Sequence, residues 1–319
     1  MREIAAPEKN RPVLPPALHP GDTIGLFCPS GPVRNREYVR KGIECLQDFG
    51  FQVKIAENLQ EEPDPDIYLA APDDIRAQRL RELWLDDEVK ALMAIRGGYG
   101  CLRLLHLLDF SIFYENPKLL IGFSDVTTLL AAIFKQTGMI GLHGPVVSTL
   151  SKVDRLSRRR LFALITGEYL PCPGNDMEIL RHGTGTGQLI IGNLTTLIHL
   201  IGTPYEPRFD KAILVIEDTG ESMYRIDRML THLSCSGKLQ RLAGLILGSF
   251  ELDGDARQHL IRRILELTSD LDYPVWSNFP LGHGRKNLSL PYGMPATMGA
   301  DQHLRLHVEQ VQYRAGSLL

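Results

Sequence analysis

Three residues have the types that acyl-transfer chemistry requires, and each closes an apolar run or follows one: Ser124, Glu217 and His283. Serine is a weak nucleophile until a base takes its proton. Histidine can do so at neutral pH. A partly desolvated carboxylate can then fix the histidine tautomer and balance the imidazolium. Ser124 sits in Gly122-Phe123-Ser124-Asp125, where the apolar run 119–123 meets a helical pattern with no room for a loop. Such a turn lifts the hydroxyl above the sheet edge beside free N–H groups of a helix start, the logic of a nucleophile elbow. The fifth position is Val126 rather than glycine, and a serine there could equally cap the helix. Glu217 follows four aliphatics (213–216), and its alternative is an ion pair with Arg225 or Arg228 on the next helix. His283 lies between Gly282 and Gly284 just after an apolar stretch, and a plain loop histidine is the alternative there. His143, in Gly141-Leu142-His143-Gly144-Pro145, could line a site.

The elements that must position these residues alternate. Strands are expected at 22–28, 51–56, 89–95 and 119–123, with helices at 35–48, 73–85, 101–108 and 125–136 between and after them. That alternation predicts a parallel sheet with helices on both faces, where ligands gather at the carboxyl ends of strands. The third strand ends in Arg96-Gly97-Gly98-Tyr99-Gly100, a turn that lets backbone approach a ligand and offers N–H groups to an oxyanion. Residues 1–20, with five prolines, read as an extended arm; 21–165 form the first domain, 166–187 a linker and 188–319 a second α/β domain. A short helix at 158–165 has four arginines around it (155, 158, 159, 160), read as a solvated face.

Bulk properties narrow the function. The 319 residues are 44% hydrophobic and 23% charged with a net charge of -3, so no general basic surface draws nucleic acid. Five widely spaced cysteines without a Cys-x-x-Cys pair speak against a disulfide framework and a structural zinc site. The polar start carries no signal-peptide pattern, and no run approaches the ~20 apolar residues of a membrane span, which predicts a cytoplasmic protein. There is no Walker A motif, no His-Glu-x-x-His and no Ser-x-x-Lys, and no Gly-x-Gly-x-x-Gly follows the first strand. No cofactor or metal is expected.

Eight segments occur in an order that resembles the LD-carboxypeptidases. They are Pro29-Ser30-Gly31-Pro32, Arg96-Gly97-Gly98-Tyr99-Gly100, Ile121-Gly122-Phe123-Ser124-Asp125, His143-Gly144-Pro145, Gly192-Asn193-Leu194, Glu217-Asp218, Tyr224-Arg225-Ile226-Asp227-Arg228-Met229-Leu230 and Gly282-His283-Gly284. The resemblance implies a flavodoxin-like N-terminal domain, similar to class I glutamine amidotransferases, and a swivelling C-terminal α/β domain, usually in a homodimer. It implies a Ser124–Glu217–His283 triad with an oxyanion hole from the N–H groups of Gly98 and Asp125. The implied reaction releases D-Ala from a cytoplasmic murein tetrapeptide. Arg96, Tyr99 and Arg225 are the expected substrate contacts, and 180–187 is expected to face the substrate. Two other readings stay open: a microcin C immunity-type peptidase acting on an aminoacyl-nucleotide analogue, and a non-catalytic two-lobed ligand-binding protein.

Overall fold

The computed structural model describes residues 11–56, 68–172 and 177–313. The first part of the chain runs β1 (Val13–Leu14), β2 (Thr23–Phe27), α1 (Arg36–Asp48), β3 (Gln52–Ile55), α2 (Asp73–Leu85), β4 (Val89–Ala94), α3 (Cys101–Leu104), α4 (Ser111–Glu115), β5 (Leu119–Gly122), α5 (Thr127–Thr137) and β6 (Gly141–His143). Then come α6 (Val147–Leu150), α7 (Arg155–Ile165), β7 (Glu178–Arg181), β8 (Gly185–Asn193), α8 (Leu194–Ile198), β9 (Ala212–Glu217), α9 (Met223–Cys235), β10 (Gly244–Leu247) and α10 (Gly254–Leu267). The last strands are β11 (Val275–Ser277), β12 (Leu290–Tyr292), β13 (Pro295–Met298), β14 (Leu304–Leu306) and β15 (Gln312–Tyr313).

The first sheet has the order β12-β6-β5-β4-β2-β3, parallel except for β12. Its central strands β2, β4, β5 and β6 are mostly buried because both faces are covered, whereas the edge strand β3 is largely exposed. Strand periodicity divides them: Leu92 and Ala94 enter one core cluster, Ala91 and Met93 the other. After β2 the chain first fills β3 on one side and then crosses to β4 on the other, so a crevice opens where the β2 and β4 ends diverge. The second sheet has the order β14-β13-β8-β9-β10-β11-β7, with β8 to β11 parallel and β13, β14 and β7 antiparallel at its edges. One core cluster is shared between the lobes: Leu92 and Leu120 of the first sheet, Leu129 and Ile133 of α5, and Ile190 and Leu214 of the second sheet belong to it. The helix that Ser124 opens into is therefore packed from both sides.

Several expectations need correcting. The presumed linker contributes β7 and the start of β8, so 180–187 is largely strand rather than a substrate-facing loop. Its glycines suit close strand packing, since a Cβ at Gly185 or Gly187 would run into the carbonyls of Ala243 and Lys211. Chain order also misassigns β12, which leaves the second lobe and joins the first sheet through Leu290 opposite His143. Arg160 is not solvated: it is buried and donates from Nε to Ser289 O (3.0 Å) and from Nη1 to Leu170 O (3.0 Å), locking that returning strand. Asp154 caps α7 by accepting from Ser157 N (2.7 Å), so the helix begins three residues before the expected 158. Residues 1–10 of the predicted arm lie outside the described residues, as do 173–176 of the predicted linker. The rest of the arm is tied down: β1 pairs with β15, and Leu14 and Leu18 are buried.

Candidate active site

β5 ends at Gly122, Phe123 stays extended (φ -148°), and Ser124 then takes φ 62° before a short 3-10 turn runs into α5. A left-handed serine is uncommon and costs on the order of 1–3 kcal/mol, so its surroundings must hold it. Two contacts do so. The Gly97 backbone lies against it, close enough that a Cβ there would come 2.9 Å from Ser124 Cβ and 3.0 Å from Oγ. The Asp125 carboxylate, nearly buried, accepts from Ser30 Oγ (2.6 Å) and Cys101 N (2.8 Å), tying the turn to the loops after β2 and β4. Burial raises the Asp125 pKa even against these hydrogen bonds. Neither the 3-10 turn nor α5 is capped by a side chain, so the capping alternative for Ser124 is not what the structure has. Asp125 N–H lies in the first helical turn, where no intrahelical acceptor exists. In the glycine turn Gly97 touches the serine; Gly98, at φ 129°, packs towards Gly31 N.

Glu217 ends the wholly buried β9 and is itself fully buried. Its Oε2 is 2.7 Å from Nδ1 of His283, on the loop between β11 and β12. An ionised carboxylate can only accept, so Nδ1 carries the hydrogen and Nε2 keeps its lone pair for a proton. Burial raises the Glu217 pKa. Burial pulls His283 down, but the Glu217 hydrogen bond and the charges of Glu217, Glu251 and Asp218 leave it above the ordinary histidine value. The alternative partners of Glu217 are engaged elsewhere. Arg225 pairs with Glu221 (3.4 Å) and donates to Tyr224 Oη (3.2 Å), and Arg228 lies over the Tyr224 ring at 5.5 Å.

Three of the contacts between the two halves lie beside these residues. The Phe123 and His283 rings are 4.7 Å apart between centroids. Gly192, at the end of β8, faces the start of α5 so closely that a Cβ would collide with Thr127, and Asn193 N donates to Thr127 Oγ1 (3.4 Å). Leu290 pairs with His143 in the first sheet. Among the described residues no hydrogen bond joins Ser124 Oγ to the His283 ring.

The remaining expected residues are placed as follows. Arg96 is about half-buried; its Nη1 donates to Pro32 O (2.9 Å), and burial together with nearby Arg34 lowers its pKa. Tyr99 is half-exposed with its ring 5.9 Å from that of Tyr68. His143 is fully buried, with neither ring nitrogen hydrogen-bonded among the described residues, and burial lowers its pKa to about 3. Two anchors escaped the sequence reading. One is the side chain of Asp125. The other is Asp218, which accepts from Asn193 Nδ2 (3.1 Å), Thr195 N (2.8 Å), Thr195 Oγ1 (2.8 Å) and Thr219 N (2.8 Å). Each acid adjoins a residue already singled out, and that adjacency is the only signal the sequence offers.

Residues 24–144 match the LD-carboxypeptidase N-terminal domain and 186–298 the LD-carboxypeptidase C-terminal domain. The chain belongs to the LD-carboxypeptidase family. It is 33% identical over 294 residues to a probable murein peptide carboxypeptidase of Bacillus subtilis, covering 89% of this chain and 91% of that one. Among solved structures it resembles the microcin C7 self-immunity protein (TM-score 0.85, 25% identity, 94% of this chain and 100% of the other). It also resembles the muramoyltetrapeptide carboxypeptidase of Oxalobacter formigenes (TM-score 0.78, 29% identity, 92% and 100%). Membership supports a carboxypeptidase, and the fold is a two-domain α/β arrangement like theirs. Among the described residues no helix is long and apolar enough to cross a membrane.

Proposed function

We propose that the protein is a serine carboxypeptidase that hydrolyses an L,D peptide bond and releases the terminal D-Ala of a murein tetrapeptide. The observation that carries this reading is the buried Glu217–His283 hydrogen bond of 2.7 Å, at the strand end neighbouring the strained Ser124 turn. His283 Nε2 takes the Ser124 proton as Oγ attacks the scissile carbonyl, and Glu217 balances the imidazolium. The N–H groups of Asp125 and Gly98 receive the tetrahedral oxyanion; losing such a donor costs on the order of 3 kcal/mol. His283 then protonates the departing D-Ala nitrogen as the C–N bond breaks, leaving an acyl-serine. Water, deprotonated by the same imidazole, attacks that ester and frees both the shortened peptide and Ser124. Arg96, Tyr99 and Arg225 remain candidate substrate contacts. Of the two arginines Arg96 suits the terminal carboxylate better, because Arg225 already serves Glu221.

The names of the relatives support murein peptide as the substrate class. A microcin-type reaction on an aminoacyl-nucleotide is the second reading, favoured by the likeness to the self-immunity protein. Such a substrate calls for an aromatic platform, and both tryptophans, Trp84 and Trp276, are buried in the core. The parallel order β3-β2-β4-β5-β6 supports a flavodoxin-like first domain. A cytoplasmic, homodimeric enzyme of peptidoglycan recycling, without cofactor or nucleic-acid partner, completes the proposal.

The test is mass spectrometry of digests of disaccharide-tetrapeptide and of an aspartyl-sulfamoyl nucleotide by the wild type and Ser124→Ala. Loss of one D-Ala from the tetrapeptide with wild type alone is expected. Turnover of the nucleotide alone overturns the murein assignment, and undiminished turnover by Ser124→Ala overturns the serine mechanism in favour of another site. No turnover of either substrate by wild type would favour the ligand-binding reading.

A further inference from the structure

One hydrogen bond does not orient an imidazole. The Glu217 contact fixes Nδ1 of His283, but the ring can still swing about that contact and carry Nε2 away from Ser124. A second contact must set the ring plane, since functional side chains hold their geometry only where packing locks their rotamers.

The structure offers one such contact from the other lobe. The Phe123 ring lies 4.7 Å from the His283 ring at an interplanar angle of 53°. The His143 ring stands 6.1 Å from the Phe123 ring at 73°, edge to face. Phe123 is 4% exposed and His143 fully buried. The Phe123 ring, on the residue before the serine, therefore contacts both a ring on β6 and the ring on the loop that carries His283. Phe123 and Ser124 also share one backbone turn, extended at φ -148° and then left-handed at φ 62°. A displacement of the Phe123 ring is thus tied to a displacement of Oγ.

We propose that Phe123 is a positioning residue for His283, its ring forming the first-lobe wall that sets the imidazole plane relative to Ser124, with His143 packed edge to face against the same ring. This rests on the reading of Ser124 and His283 as nucleophile and base. A buried His143 that stays neutral suits a packing role against a ring that also meets an imidazolium during turnover. The charged and titratable groups that act on His283 are Glu217 and Asp218 at the end of β9, Glu251 on the loop after β10, and His143 on β6. Burial is the influence that pulls His283 down, and the Phe123 ring, in contact with it, contributes to that burial.

The experiment compares Phe123→Leu and Phe123→Tyr with wild type in D-Ala release from disaccharide-tetrapeptide, recording kcat and KM across pH. Phe123→Met, closer in volume, joins the series so that a folding failure of the leucine variant leaves a non-aromatic variant to measure. The leucine and methionine variants are expected to lose about 10²-fold in kcat, as sub-ångström to 1 Å misplacements do, with KM within about threefold. Water replacing the ring moves the acid-limb midpoint upward, because part of the burial that lowers His283 is removed. Phe123→Tyr keeps the ring and is expected to stay within about tenfold of wild type with an unmoved midpoint. A kcat within about threefold of wild type in the non-aromatic variants overturns the inference. So does an equal loss in all three variants with the midpoint unmoved, which marks a merely structural ring. Absence of wild-type turnover removes the proposed function and this inference together, whereas wild-type turnover with unaffected variants removes only the inference.

Discussion

Replacing Glu217 with glutamine removes one charge and little volume from a fully buried position. The amide can still accept a hydrogen bond from His283 Nδ1–H, now made at 2.7 Å to the carboxylate, so the ground state changes little. The transition state differs, because His283 then carries a full positive charge. Two unit charges about 4 Å apart attract by about 4 kcal/mol at an effective dielectric constant of about 20, the value that best describes such sites. A barrier raised by that amount slows kcat by about 10³-fold. An amide that turns its NH2 towards Nδ1 would favour the wrong tautomer and enlarge the loss. The assay is steady-state D-Ala release from murein tetrapeptide, with kcat and KM separated. KM should change little, since the charge pair strengthens only as the imidazolium forms. Thermal melting distinguishes chemistry from folding, with the sign fixed by burial. Glu217 has a folded-state pKa raised above 4.5, so wild-type stability falls as pH rises from about 4.5 through the folded value. Glutamine does not titrate, so the difference in Tm between variant and wild type should shift in favour of the variant across that window. A loss of less than tenfold in kcat, with melting unchanged, would refute the assignment of Glu217 as the partner of the base.

Activity should fall on the acid side with a midpoint above 6.5, because the carboxylates around His283 outweigh the burial that lowers it; kcat/KM against pH checks this. His143, lowered to about 3, should add no second limb in the neutral range, so the acid side should fit one proton. The histidine's contribution to stability should run the opposite way with pH. Its raised folded value contributes stability that is complete below about 6.5 and is lost as pH rises through the folded value, measurable by Tm against pH in wild type and His283→Ala. Gly97→Ala places a Cβ 2.9 Å from Ser124 Cβ and 3.0 Å from Oγ. It should lower kcat by about 10²-fold while costing about 1–3 kcal/mol of stability, read by kinetics and denaturant unfolding.

Much of the candidate site was legible because local pattern determines it. An apolar run that stops at Gly122-Phe123 and enters a helix without a loop leaves few places for Ser124 other than a strand end. Four aliphatics before Glu217 announce a buried strand, and a desolvated acid follows. What stayed hidden depends on long-range pairing. Nothing near residues 290–292 says that they leave the second lobe to pair with β6, because an antiparallel partner about 150 residues earlier leaves no local mark. Burial reverses the reading of charge as well: Arg160 looks solvated beside Arg158 and Arg159, yet it faces inward to hold Ser289. Asp125 and Asp218 were visible only as neighbours of Ser124 and Glu217, since a carboxylate's role as an anchor depends on donors from other elements. Arg225 remains a candidate substrate contact, but its pairing with Glu221, four residues earlier, favours Arg96 for the terminal carboxylate.

A nucleophilic Ser124 should be open to covalent capture. The intact protein is treated with a phosphonylating reagent that captures activated serines, and its mass and peptide map are recorded for wild type, His283→Ala and Ser124→Ala. One adduct is expected on wild type, mapped to Ser124, strongly slowed in His283→Ala and absent in Ser124→Ala. An adduct on a different serine, or labelling of Ser124→Ala at the wild-type rate, would contradict it.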